Sequence, residues 1–122
     1  VMNVFQKLKA SLRLREAVKK AKDAHSQTGE RYYVMPLSGS KGKLIIMDRF
    51  NFRKLKQKGY ISYEAHVRDL EKECFYFTPY RNGTCGIVPE VENFKRQQYY
   101  SWYAGCIRNH KKKKHHEVRS QK

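Results

Sequence analysis

Apolar residues recur at helical spacing along the first 28 positions. Phe5, Leu8 and Leu12 fall on one stripe, which continues through Leu14, Ala17, Val18, Ala21 and Ala24. Spacing by three and four predicts an amphipathic helix over 3–28. The Ala, Leu, Lys, Arg and Glu that fill it are good helix formers. Thr28-Gly29 predicts its stop, with Gly29 taking the left-handed backbone.

The period then changes. RYYVMP (31–36) and KLIIMD (43–48) are β-type runs joined by LSGSKG, which predicts a hairpin. Pro36 places the end of the first strand there, or puts the strand at an edge. Residues 50–58 predict a short helix with Phe52 and Leu55 inward, Arg53, Lys54, Lys56 and Lys58 outward, and Gly59 as its cap. Ser62 predicts the N-cap of a second helix over 63–73, with Glu64 in its first turn and Val67, Leu70 and Cys74 buried. Asn82-Gly83 predicts a turn between 75–80 and 84–88, a ribbon that Pro79 makes irregular. Pro89 opens a last helix, with Glu90 and Glu92 at its positive end. Val91, Phe94, Gln98, Trp102 and Cys106 share one face of that helix, with Tyr99 and Tyr103 beside it. Lys95, Arg96 and Arg108 are expected on its surface. Together these elements predict a single α+β domain. A basic helix occupies 1–29, a compact core 30–108 and a basic tail, disordered or a fraying helix end, 109–122.

Composition supports a folded core with basic extensions. Nine Tyr, six Phe and one Trp supply the buried surface that a disordered basic chain lacks. Cys74, Cys85 and Cys106 are odd in number and widely spaced. They fit no full disulfide framework and point to a reducing, cytoplasmic setting. No run approaches the roughly 20 apolar residues of a membrane span, and the N-terminal region lacks the apolar core of a signal peptide.

Charge changes the picture most. The chain has 27 Lys and Arg against 11 Asp and Glu, a formal net charge of +16 in 122 residues. Residues 108–122 hold seven of the basic residues, so most of the charge lies in the body. Residues 41–58 carry another seven against Asp48 alone. Solvated faces normally mix signs, and these do not. Such a field attracts polyanions, and nucleic acid is the expected partner. Arg53, Lys54, Lys56 and Lys58 form the central expected face. Arg13, Lys20, Lys41, Lys43 and the Lys111, Lys112, Lys113, Lys114 run would add affinity. Rings interleaved with these cations can stack on bases, and Tyr33, Tyr76 and Tyr80 are the candidates. Most of the other rings are expected in the core. No segment offers a base-reading helix, so sequence preference should be slight. An acidic protein surface is the alternative partner, marked by an apolar patch near the basic face. The small apolar face of the first helix weighs against an anionic membrane or an import role.

Residues 50–88, ordered helix, turn, helix, ribbon, with LKQKGYI at the first junction, resemble a winged helix-turn-helix. The resemblance implies that the second helix reads the major groove. That helix carries Glu64, Asp69, Glu71 and Glu73 against Arg68 and Lys72, and phosphate would repel it. Cys106 and His110, four apart, could share an ion with Cys74 and Cys85, but zinc sites usually show paired close ligands. Neither a metal nor a cofactor is therefore expected. No phosphate-binding Gly loop, GxSxG or HExxH is present. A small metal-independent RNase would need His66, His110 or Tyr as acid and base, and no spacing selects such a set. Asp48 and Arg49 read as an ion pair at a strand end.

Overall fold

The computed structural model describes residues 2–37, 40–61 and 64–120, with side chains described as far as residue 109. The order is α1 (Val4–Thr28), β1 (Tyr33–Pro36), β2 (Leu44–Met47), α2 (Arg49–Gln57), α3 (Val67–Glu73), β3 (Tyr76–Phe77) and α4 (Pro89–Ser120). The three strands form an antiparallel sheet in the order β2-β1-β3. Pro36 ends β1 opposite Leu44, beyond the two residues that pair with β3, so its missing N–H costs no ladder bond.

Strand alternation divides the core into two layers. Val34, Leu44, Ile46 and Tyr76 face α1 and α4, where Ala10, Leu14, Ala17, Ala21, Tyr99 and Tyr103 meet them. Tyr33, Met35, Ile45, Met47 and Phe77 face α2 and α3, against Phe52, Leu70 and Cys74. The domain is therefore helix pair, sheet, helix pair.

Local chemistry sets the helix ends. The Asn3 side chain accepts from the Gln6 N–H, and the Gln6 side chain accepts from the Asn3 N–H, so α1 starts with a reciprocal cap. Gly29 ends it in the left-handed conformation at φ 76°. Asp48 is no strand-end ion partner for Arg49. Its carboxylate caps α2 by accepting from the Asn51 N–H. At the other end, Gly59 N–H donates to Lys56 and Tyr60 N–H to Leu55, the Schellman pattern.

Further expectations are corrected. Helix α1 is buried through Ala10, Leu14, Ala17 and Ala21, whereas Phe5 is 82% and Leu8 58% exposed. Small residues let α1 lie close enough for the Tyr99 hydroxyl to donate to the Ala10 carbonyl at 2.6 Å. Helix α3 starts at Val67, because the Asp69 carboxylate accepts from the His66 N–H and fixes the first turn there. Ser62 lies outside the described residues, and Glu64 sits in a turn. Residues 84–88 form no strand. Cys85 has φ 57°, which a strand cannot continue, and Phe75 and Thr78 donate instead to Val34 and Tyr32 of the β1 segment. On α4 the buried face is Lys95, Tyr99 and Tyr103, whereas Val91 and Phe94 are exposed.

Lys95 was expected on the surface and is buried. Its ammonium has three protons. It donates to the carbonyls of Glu71 (2.7 Å), Cys74 (3.0 Å) and Lys72 (3.3 Å), closing the C-terminal end of α3.

Candidate nucleic-acid interface

The expected central face falls on α2 and the turn after it. Arg53, Lys54 and Lys58 are exposed. Lys56 is half-buried, and its Nζ donates to the Ala65 carbonyl at 2.6 Å, holding the turn before α3. It belongs partly to the fold.

A second basic group lies on the other side of the sheet. Arg13, Lys20 and Lys43 line a groove of about 470 Å³ along β2, shared with Glu16. Arg13 Nη1 donates to the Lys41 carbonyl at 2.9 Å, and its guanidinium lies over the Tyr103 ring. Lysines beside β2 also guard an edge strand against pairing with another chain. The helical backbone of α4 passes through Lys111 to Lys114, whose side chains lie outside the described ones.

The most built site is a cleft of about 700 Å³ beside the start of β1. Gly29, Glu30, Arg31, Tyr33, Arg49, Arg53, Val67, Tyr80, Arg81 and Asn82 line it. Four guanidiniums and the Glu30 carboxylate thus line a single concavity, with the Glu71 carboxylate 3.6 Å from Arg31. Sequence reasoning had singled out Arg53, Tyr33 and Tyr80, and the fold brings these three together. It missed Arg31, Arg49 and Arg81. The available signal for Arg31 was an arginine two residues before the inward-facing Tyr33, on the same side of an extended chain.

Arg31 forms the floor. Its side chain is 5% exposed, and its guanidinium carbon lies 4.2 Å from the Phe77 ring centre and 4.3 Å from that of Tyr80. Such sandwiching favours a desolvated cation by about 2 kcal/mol. Nη2 donates to the Cys85 carbonyl at 3.1 Å and lies 3.6 Å from the Glu71 carboxylate. Nε is buried with no hydrogen-bond partner. That open donor is a cost which the two ring contacts partly offset. At the rim, Glu30 lies 3.1 Å from Arg81 and 3.6 Å from Arg49. Both arginines are more than half exposed, so these pairs are worth at most about 1 kcal/mol. An incoming anion can displace them.

The three candidate rings differ. Tyr80 is half-exposed at the cleft rim, while Tyr33 and Tyr76 are buried. Burial raises the phenol pKa of both. Tyr33 therefore brings no negative charge to the cleft. Tyr76 lies in the opposite layer, beneath Lys22.

Cys74 is buried, Cys106 half-buried and Cys85 exposed, all as free thiols. Burial raises the thiol pKa of Cys74 and Cys106. Among the described residues no three His, Cys, Asp or Glu side chains come together as a metal site. His110 lies beyond the described side chains. No helix among the described residues is long and apolar enough to cross a membrane.

No family model matches the chain, and comparison with curated proteins and with solved structures returns no match. The fold and site define it as a small α+β domain carrying an arginine-rich cleft.

Proposed function

We propose that this protein binds nucleic acid without catalysis, mainly through phosphate contacts. The convergence of Arg31, Arg49, Arg53 and Arg81 on one cleft carries the reading. The overall charge of +16 supports it, since phosphate binding by Lys and Arg releases counterions. The exposed Lys54 and Lys58 add charge close in sequence to Arg53, and the Arg13, Lys20 and Lys43 groove adds a second contact region.

The test is binding to matched single- and double-stranded RNA and DNA at fixed, near-physiological salt. Combined Arg53→Ala, Lys54→Ala and Lys58→Ala substitution is expected to weaken binding by about tenfold or more. An unchanged affinity would remove α2 from the interface. Glu30→Gln should act in the opposite direction. It deletes a repelling charge and releases Arg49 and Arg81, so affinity for a short single strand is expected to rise about threefold. Weaker binding in that variant would mean that Glu30 positions the two arginines instead of competing for them.

One observation favours a second reading, docking on an acidic protein. Val4, Phe5, Leu8 and Leu12 form an exposed apolar stripe on α1, with Lys7, Lys9 and Arg15 nearby in sequence. Phe5→Ser with Leu8→Ser would abolish that docking while leaving nucleic-acid affinity intact.

A further inference from the structure

From the shape and charge of the cleft, we infer that it takes the phosphorylated end of a single strand, with a terminal phosphate monoester at the arginines and its nucleoside beside Tyr80. This rests on the nucleic-acid reading. Three observations carry it. First, the cleft of about 700 Å³ has the size of a small-ligand site, within the roughly 300–1,000 Å³ typical of such pockets. A duplex lying across it would touch the exposed Arg49, Arg53 and Arg81 and miss the floor.

Second, the floor cation is Arg31, almost wholly buried. An internal phosphodiester has chain on both sides and needs an open channel to come that deep. A terminal phosphate enters end-on. Third, the charges match. A monoester carries about −1.5 to −2 near neutral pH and three strong acceptor oxygens. Guanidinium groups donate paired, planar hydrogen bonds to such oxygens. Arg31, Arg53 and Arg81 come from the segment before β1, from α2 and from the turn at Asn82-Gly83, so an anion there would be held by three separate parts of the chain. Tyr80, half-exposed at the rim, offers the adjoining base a ring surface.

The experiment compares one fluorescent single strand bearing a 5′-phosphate, a 3′-phosphate or hydroxyls at both ends, at one salt concentration. One phosphorylated end is expected to bind about tenfold more tightly than the hydroxyl strand. Arg81→Ala and Arg53→Ala should each weaken every strand, but the phosphorylated strand by the larger factor, so that the ratio shrinks. Both residues are exposed, so folding is not at risk as it is with Arg31→Ala. A nucleoside 5′-monophosphate added as competitor should reduce the phosphorylated strand to the affinity of the hydroxyl strand. Three equal affinities would overturn the inference and leave the general reading standing. If the free monophosphate binds while the strands stay equal, the site belongs to free nucleotides and the strand-end assignment is overturned. Failure of every strand to bind at near-physiological salt would overturn both.

Discussion

Lys95→Met is expected to destabilise the domain by about 3 kcal/mol, read by urea unfolding. The methionine keeps most of the buried stem and removes the ammonium. Three carbonyls, of Glu71, Lys72 and Cys74, then lose their donor. Hydrogen bonds from a charged donor are worth about 1.5–3 kcal/mol each. Burying the ammonium offsets several kcal/mol of that gain, so the net loss is well below the gross sum. The effect should also reach the cleft. Glu71 lies beside Arg31, and Lys95 anchors the end of α3 on which Glu71 stands. The variant is therefore expected to lose affinity for single strands as well as stability. Lys72→Met, on the exposed side of α3, is the control, expected within about 0.5 kcal/mol of the parent. A Lys95→Met protein as stable as the parent would show that the lysine is merely tolerated in the interior.

Gly42→Ala is the second large effect, expected to cost about 3 kcal/mol. Two separate terms add. Gly42 has φ 83°, where a Cβ strains the backbone. That Cβ would also stand 2.6 Å from the Tyr103 ring, inside any permissible contact. The ring is buried in the core and underlies the Arg13 guanidinium, so it has little freedom to move aside. Gly83→Ala separates the terms. Gly83 has φ 79° with nothing near its Cβ direction, so only the strain remains, about 1 kcal/mol. Equal losses at the two glycines would show that Tyr103 yields and that the hairpin is not locked to α4. If the expected difference appears, Gly42→Ala should also loosen the Arg13 contact with Lys41 and weaken the second basic region.

The periodic parts of this fold were legible in its sequence. The reach of α1, the hairpin with Pro36 at its end, α2 and the start of α4 at Pro89 follow from local spacing and caps. What stayed hidden depends on partners distant in the chain. Lys95 reads as a surface residue because its acceptors lie at the C-terminal end of α3, more than 20 positions earlier. Val91 and Phe94 read as core, although α4 packs inward through Lys95, Tyr99 and Tyr103. The 75–78 segment pairs with β1 instead of folding back on 84–88, and Asn82-Gly83 alone could not show that. The site was partly legible for the same reason. Net charge marked α2, whereas Arg31 and Arg81 are isolated in sequence and meet Arg49 and Arg53 only when the sheet forms.

The most direct measurement is the salt dependence of single-strand binding by nucleic-acid-free protein, with the same mixtures analysed for cleavage. The account predicts intact strands and a log–log slope of about −4 or steeper, equivalent to about six phosphates at −0.7 each. The combined Arg53→Ala, Lys54→Ala, Lys58→Ala variant should make that slope shallower by about 2. No binding near physiological salt, cleaved strands, or a slope that the triple variant leaves unchanged would contradict it.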